Sequence, residues 1–120
     1  MKILVVEDSK LYRTAIVKYL KKHLNNPEFI TAKNGEEGLE KYNQETPDLL
    51  IFDLLMPKLS GQELLSRIRK QDKKIKAVII SANIQNIVKE EMESLGILKF
   101  INKPFTEKKA AELAKIIEEN

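Results

Sequence analysis

The sequence predicts an α/β domain in which five strand–helix units form a parallel sheet with helices on both faces. Two patterns support this prediction. Short runs of branched apolar residues alternate five times with longer segments whose apolar residues recur every three to four positions. Turn-forming residues separate the two kinds of segment. Strands and helices that alternate through short loops form parallel, doubly wound sheets with right-handed crossovers.

The first half of the chain predicts three strands and two helices. Residues 2–6 are a β-branched apolar run typical of a strand buried on both faces. Ser9 then caps a helix that ends at residues 25–27, where two asparagines precede a proline. The apolar stripe of this helix comprises Tyr12, Ala15, Ile16, Tyr19 and Leu20. Residues 28–32 predict the second strand, Asn34-Gly35 a turn into a helix with Leu39 and Tyr42, and residues 48–52, after Pro47, the third strand.

The second half repeats the alternation. We expect helices over residues 61–70, around 84–95 and around 110–117, and strands over 77–80 and 98–101. Gly96 is placed to cap the end of the middle helix. The apolar residues that mark the three helices are Leu64, Leu65 and Ile68; Ile84, Ile87, Val88, Met92 and Leu95; and Ala110, Leu113, Ala114 and Ile117.

Composition limits the class of protein. The 120 residues, 42% hydrophobic and 32% charged, suit one soluble domain spanning residues 1–120. No cysteine is present, so disulfides and thiolate metal sites are excluded. The apolar run at the start meets Glu7 and Asp8 and is too short for a signal peptide or a membrane span, so we expect a cytoplasmic protein with no membrane contact. Despite a net charge of +3, the lysines are scattered among glutamates and only 6% of residues are aromatic, so we expect no direct nucleic-acid contact.

Acidic residues follow two of the predicted strands. In such folds ligands bind at the carboxyl ends of the strands, here the loops after residues 6, 52, 80 and 101. Glu7 and Asp8 follow the first strand and Asp53 the third. Neighbouring carboxylates repel by roughly 1 kcal/mol per pair at contact in water, and a hard cation such as Mg²⁺ or Mn²⁺ would neutralise them. Solvated acidic caps remain the alternative.

Ser81 and Lys103 end the fourth and fifth strands at the same edge, and Pro104 fixes the chain direction after the lysine. Singly, a serine is usually a cap and a lysine a surface residue. Beside a carboxylate and a divalent cation, however, a hydroxyl and an ammonium group would bind phosphoryl oxygens. The five polar positions together indicate a phosphoryl-transfer site.

Four segments resemble the receiver domain of two-component response regulators: VVEDS at 5–9, FDLLMPKLSG at 52–61, IISA at 79–82 and FINKPF at 100–105. The resemblance covers essentially the whole chain and extends to the chemotaxis-type members that consist of this domain alone. It implies a flavodoxin-like (βα)5 fold with strand order 2-1-3-4-5. It also implies phosphorelay signal transduction rather than a metabolic reaction.

By this resemblance, Asp53 accepts a phosphoryl group from a histidine kinase, a histidine phosphotransfer protein or a small phosphodonor. Asp8 would bind Mg²⁺ directly and Glu7 mainly through water, with Asp53 and the backbone carbonyl of Leu55 completing the protein ligands. The domain would catalyse its own phosphorylation and dephosphorylation. It would be a monomer or a phosphorylation-dependent dimer.

The resemblance also implies a switch. Lys103 would pair with the phosphoryl group, and the Ser81 hydroxyl would move to hydrogen-bond it. Phe100 would then rotate into the vacated space, although plain core packing is its alternative role. The surface of the fourth helix, fifth strand and fifth helix would change and control a target protein or output domain.

The sequence departs from the best-known relatives at three of these positions. Ser81 stands where threonine is commoner, and Phe100 where tyrosine is frequent. Leu55 is apolar where several relatives carry a polar residue, and with Asn83 it would flank the route of the hydrolytic water. We therefore predict slow self-dephosphorylation.

Other functions have weaker support. A degenerate receiver that only binds proteins would not need five converging polar groups. A flavin carrier would need a phosphate-cradling loop, but the first loop is EDSK. An aspartyl-phosphate hydrolase would want an acid where Leu55 stands. His23, the only histidine, is better explained as a residue suited to a helix carboxyl end than as a metal or relay ligand.

Overall fold

A computed structural model of the chain, which describes residues 1–82 and 89–120, contains a five-stranded parallel sheet. The strand order is β2-β1-β3-β4-β5, as the resemblance to receiver domains implies. The strands are β1 (Lys2–Val6), β2 (Glu28–Ala32), β3 (Leu49–Phe52), β4 (Lys76–Ser81) and β5 (Ile97–Asn102). The helices are α1 (Lys10–His23), α2 (Gly35–Glu45), α3 (Gly61–Gln71), α4 (Lys89–Ser94) and α5 (Glu107–Glu119).

Alternate residues of each central strand feed two separate cores, one on each face of the sheet. In β1, Ile3 and Val5 pack with Ile16 of α1 and Leu113 of α5. Leu4 and Val6 point to the other face, where the core includes residues of α2 and α3. Burial of each such side chain contributes roughly 1.5–3 kcal/mol, so the sheet is held from both sides.

Side-chain caps fix where four helices begin. Ser9 accepts a hydrogen bond from the Tyr12 amide of α1 at 3.3 Å, which confirms the predicted cap. Asn34 caps α2 in the same way, and Ser60 and Thr106 cap α3 and α5. Each such cap contributes about 1 kcal/mol and sets the first turn of its helix. Three of these helices, α1, α2 and α5, begin within a few residues of the carboxyl ends of their preceding strands, at the sheet edge where the acidic residues lie.

The observed strands differ from the predicted ones at their ends. β4 and β5 each extend beyond the predicted ranges, because backbone pairing with a neighbouring strand continues past the apolar residues: Ser81 pairs with Asn102. β3 begins one residue later than predicted, at Leu49. Asp48 instead uses its carboxylate to accept a hydrogen bond from the Lys2 amide at 2.8 Å.

The carboxyl end of α4 agrees with the sequence. Gly96 has φ of +78° and its amide bonds the Glu93 carbonyl at 2.9 Å, so it serves as the predicted left-handed residue after the helix. The predicted positions Asn83, Ile84, Ile87 and Val88 lie outside the described residues. Within the described part of the chain, no helix combines the length and the apolar character needed to cross a membrane.

Candidate functional site

Extension of the sheet's hydrogen bonding places the acidic residues at one edge. The Glu7 amide donates to the Ala32 carbonyl at 3.0 Å, and the Asp53 amide donates to the Val6 carbonyl at 3.1 Å. Glu7 and Asp53 therefore continue the direction of buried strands, and their side chains are buried as well. Glu7 is only 1% exposed and Asp53 only 5% exposed. Asp8, one residue further along, is exposed.

Both oxygens of the Asp53 carboxylate have donors. Oδ1 accepts from the Ser81 hydroxyl at 2.5 Å and from the Leu55 amide at 3.2 Å. Oδ2 accepts from Lys103 Nζ at 2.8 Å. The Ser81 hydroxyl thus already points at the acid in this conformation, and it would have to exchange this contact for one to a phosphoryl oxygen.

Lys103 joins the two buried acids. Its ammonium nitrogen lies 2.7 Å from Glu7 Oε1 as well as 2.8 Å from Asp53 Oδ2, and 4.2 Å from the centre of the Tyr12 ring. Its backbone amide donates to the Ser81 carbonyl at 3.0 Å. Burial by itself would lower the pKa of Lys103, but its close contacts with the carboxylates of Asp53 and Glu7 outweigh burial and raise the pKa. The side chain therefore stays cationic.

Three carboxylates converge beside this lysine. Oxygen atoms of Glu7, Asp8 and Asp53 all lie within 4.8 Å of one another. Burial raises the pKa of Glu7, against the opposing effect of Lys103 and of the Ser9 amide. Glu7 Oε1 also makes no hydrogen bond of good geometry to any described residue, although Lys103 lies close to it. The donor set is all oxygen and Lys103 neutralises only part of its charge, so the three acids fit a hard divalent cation.

The loop after β3 is held close to the site by a glycine. The Gly61 amide donates to the Leu54 carbonyl at 3.0 Å. A Cβ atom at position 61 would overlap the Asp53 carbonyl oxygen and the Leu54 Cα atom. Only glycine lets α3 begin this close to Asp53, so Gly61 keeps the loop after β3 packed against the site.

The structure brings together the five polar residues that the sequence singled out: Glu7, Asp8, Asp53, Ser81 and Lys103. Phe100 is half-buried on β5 and packs against the core on the α2 and α3 face. Leu55 contributes its amide, while its side chain is 68% exposed. Asn83 lies outside the described residues. His23 is at the opposite end of α1, 3.8 Å from Glu107 Oε1, as its interpretation as a helix-end residue requires.

Sequence reasoning missed two residues of α1 that touch the site. Arg13 Nη1 donates to the backbone carbonyl of Glu7 at 2.7 Å and more weakly to that of Asp8 at 3.3 Å, and so holds the acidic loop. Tyr12, predicted only as part of an apolar stripe, lies under Lys103. The available signal was the Ser9 cap, which starts α1 so near the loop that its first turn must lie against it.

Comparison with known proteins assigns the family. Residues 3–117 match the model of the response regulator receiver domain.

The chain belongs to the response regulator receiver domain family.

Individual relatives of this receiver domain agree with that assignment. It is 32% identical over 105 residues to the chemotaxis protein CheY of Listeria monocytogenes, covering 88% of the chain and 87% of that protein. It is 33% identical over 118 residues to the alkaline phosphatase synthesis transcriptional regulatory protein PhoP of Bacillus subtilis, covering 97% of the chain and 48% of that protein. The high-resolution structure of the chemotaxis response regulator CheY4 of Vibrio cholerae superposes with a TM-score of 0.83 at 26% identity, covering 96% of this chain and 97% of that one.

The curated relatives vary widely in size. This receiver domain spans 87% of the Listeria protein but 48% of PhoP and 7% of a hybrid signal transduction histidine kinase of Dictyostelium discoideum. Receiver domains of this kind therefore occur both in short proteins and within much longer ones.

Proposed function

We propose that Asp53 accepts a phosphoryl group and that the domain acts as a phosphorylation-dependent switch. The observation that carries this proposal is the surroundings of one carboxylate. Asp53 is buried, contacts the Ser81 hydroxyl and the Lys103 ammonium, and lies beside two further acids. A phosphoryl group on Asp53 would find a neutral donor and a cationic donor for its oxygens.

The reaction would be an in-line displacement at phosphorus. One oxygen of the Asp53 carboxylate forms a bond to the phosphorus of a phosphohistidine or an acyl phosphate. The bond from phosphorus to the donor's nitrogen or oxygen breaks, and the leaving group keeps the electron pair. Lys103 stabilises the negative charge on the transferring oxygens, because its ammonium group already lies 2.8 Å from Asp53. Attack of water on the phosphorus then breaks its bond to the Asp53 oxygen, releases inorganic phosphate and restores the carboxylate.

Glu7, Asp8 and Asp53 are the residues that would hold Mg²⁺ or Mn²⁺, with the Leu55 carbonyl as a further ligand. When bound, the ion would offset the charge of the acids and of the incoming phosphoryl group. Asp8 is the exposed member of the set and the one that solvent can reach. Glu7 is buried, and its Ser9 hydrogen bond at 2.9 Å fixes its other oxygen.

The switch would begin at Ser81. Its hydroxyl gives up Asp53 for a phosphoryl oxygen, and Phe100 on the neighbouring strand responds by moving inward. Ser81 and Phe100 lie on paired strands, since β4 and β5 are in register from Ile79 opposite Phe100 to Ser81 opposite Asn102. The surface formed by α4, β5 and α5 would then bind a target protein or an output domain. A phosphoryl group with about two negative charges would replace the single charge of the Asp53 carboxylate, and this change in charge and size would drive the switch.

The partners follow from the chemistry. A histidine kinase or a histidine phosphotransfer protein would supply the phosphoryl group, and we propose that residues 1–120 act as one receiver unit in the cytoplasm, where such donors use ATP-derived phosphate. Leu55 would slow self-dephosphorylation, because an apolar side chain cannot orient the hydrolytic water.

Intact-mass spectrometry after incubation with acetyl phosphate tests the proposal. We expect one added phosphoryl group in the presence of Mg²⁺, much less after chelation, and none in Asp53→Asn. Asp48→Asn is the matched control, because Asp48 is exposed at the opposite end of β3. It should be phosphorylated like the parent protein.

A chain with no adduct under any condition, and no Mg²⁺ binding, would instead be a degenerate receiver that binds its partners without phosphate. An adduct that persists in Asp53→Asn would show that another residue is the acceptor.

A further inference from the structure

The aromatic ring of Tyr12 covers one side of the Lys103 ammonium group. Lys103 Nζ lies 4.2 Å from the centre of that ring, within the range of a cation–π contact. The hydroxyl of Tyr12 forms no hydrogen bond within the described part of the chain, so the contact is made by the face of the ring. The apolar stripe of α1 requires only an apolar residue at this position, not an aromatic one.

Local structure fixes the place of the ring. The Tyr12 amide donates to the Ser9 hydroxyl at 3.3 Å, which sets the rotation of the first turn of α1. Leu11, one residue earlier, is 79% exposed, whereas Tyr12 is half-buried against the segment after β5. One heptad later on the same helix, Tyr19 packs against Phe105 with ring centres 6.4 Å apart. Two tyrosines of α1 therefore contact the segment after β5, the first at its lysine and the second at its phenylalanine.

Lys103 has a long, flexible side chain and a role that requires one position. The side chain is 14% exposed, and its ammonium nitrogen lies 2.7 Å from Glu7 Oε1 and 2.8 Å from Asp53 Oδ2. A divalent cation or a phosphoryl group would compete for both of these oxygens. The contact with the ring uses neither oxygen, so it persists when either acid takes another partner. Without the ring, the four-carbon stem of the lysine would have to be ordered again beside the transferring phosphoryl group.

We propose that Tyr12 is a positioning residue for phosphoryl transfer, whose ring holds the Lys103 ammonium group beside Asp53. This inference rests on the proposed function, since it gives Tyr12 a role in that reaction. The negative face of the ring attracts the cation, and the bulk of the ring excludes water from one side of the ammonium group. Solvent then screens the charge that Lys103 directs at the transferring oxygens less strongly.

Ordinary packing is the alternative role of Tyr12, and substitutions separate the two roles. If packing is sufficient, Tyr12→Leu will behave like the parent protein, because leucine also fills a half-buried apolar position. If the face of the ring is required, Tyr12→Phe will replace tyrosine and Tyr12→Leu will not. Tyr19→Leu is the matched control, because it makes the same substitution on the same helix at a ring that packs on Phe105.

The initial rate of phosphorylation by acetyl phosphate in the presence of Mg²⁺, followed by intact-mass spectrometry, is the first measurement. We expect Tyr12→Leu to be roughly threefold to tenfold slower than the parent protein. Tyr12→Phe should recover the parent rate to within about twofold, because it keeps the ring. Tyr19→Leu should also stay within about twofold of the parent rate, although we expect it to lose a similar amount of stability.

A nuclear magnetic resonance spectrum supplies a second measurement that needs no phosphodonor. The ring current of Tyr12 should shift the methylene protons next to the Lys103 ammonium group upfield, because that group lies over the face of the ring. We expect this shift in the parent protein, in Tyr12→Phe and in Tyr19→Leu. It should be lost in Tyr12→Leu.

Several outcomes would overturn this role of Tyr12. An equal rate in Tyr12→Leu and the parent protein, or a Tyr12→Phe variant as slow as Tyr12→Leu, would leave Asp53 as the acceptor and remove the ring from the mechanism. An equal loss of rate in Tyr12→Leu and Tyr19→Leu would show that packing is responsible. Absence of the upfield shift in the parent protein would show that the ring does not hold the ammonium group. A parent protein that takes no phosphoryl group would contradict the proposed function itself, and this inference with it.

Discussion

Among the residues of the site, Glu7 has the least favourable position for a charge. It is buried, its pKa is raised above the ordinary value of 4.5, and burial is the main cause. Lys103 offsets part of this effect from 2.7 Å. The fold opposes ionisation of Glu7, and two other acids lie beside it. A cation that binds only the folded state would therefore stabilise the domain.

We predict that Glu7 makes the metal-free domain less stable as pH rises. Between the unfolded pKa near 4.5 and the higher folded pKa, the folded state holds a proton that the unfolded state lacks. The stability contributed by that proton is complete below pH 4.5 and is lost as pH rises through the folded pKa. The difference in unfolding free energy between the parent protein and Glu7→Gln should therefore fall with rising pH, by about 1.4 kcal/mol per unit inside this window.

Urea unfolding with a chelator present, at several pH values from 4 upward, measures this difference. Glu112→Gln on the exposed face of α5 is the control for removing one acid. A difference between parent and Glu7→Gln that stays constant or grows with pH would contradict the prediction.

At Leu55 we predict an effect on lifetime rather than on stability. The side chain is 68% exposed, so Leu55→Asn should change the unfolding free energy by less than about 0.5 kcal/mol. If an amide there can orient the hydrolytic water, the phosphoryl group should be lost several times faster. Leu11→Asn is the matched control, because Leu11 is also an exposed leucine but lies on α1. A dephosphorylation rate in Leu55→Asn that equals that of the parent protein or is slower would contradict the prediction.

At the scale of the elements, Arg69 ties α3 to the segment after α4. Its guanidinium donates to the backbone carbonyls of Leu95 and Ile75, both at 2.6 Å, and to those of Asp72 and Gly96 at 3.2 Å. One side chain thus satisfies carbonyls at the end of α3, before β4 and before β5. Arg69 therefore holds the segment between α4 and β5 against the end of α3.

We predict that Arg69→Gln destabilises the domain by about 3 kcal/mol, since four backbone carbonyls, three of them in part-buried hydrogen bonds, would lose a charged donor. Arg67→Gln, on the same helix but exposed and 3.5 Å from Glu63, should cost about 0.5 kcal/mol or less. Chemical unfolding compares the two, and hydrogen exchange at Gly96 and Ile97 should quicken only in the first. Equal losses in the two variants would show that Arg69 does not restrain this segment.

At the scale of the whole molecule, the sequence was sufficient to predict features that repeat along the chain or that depend on residues close together in sequence. Alternating apolar runs predict the five strands, and both the strand order and the family are confirmed. The cap at Ser9 is also a local signal, because its side chain bonds an amide three positions away. The convergence of Asp53 and Lys103 could be predicted because strand ends meet at one edge of a parallel sheet.

Features that depend on side-chain direction could not be predicted in this way. Arg13 reaches back to the Glu7 carbonyl, and Arg69 reaches across to Leu95, contacts that no period or motif encodes. The ends of β4 and β5 were missed because backbone pairing, rather than hydrophobicity, sets them.

Chemical trapping of the acyl phosphate is the most direct test of the central claim that Asp53 is the acceptor. Borohydride reduces an aspartyl phosphate to homoserine, and peptide mass spectrometry then locates the change. We predict homoserine at position 53 after treatment with acetyl phosphate and Mg²⁺, and none without the phosphodonor. Reduction at Asp8, Glu7 or any other carboxylate instead, or no reduction in a protein that carries an added phosphoryl group, would contradict the account.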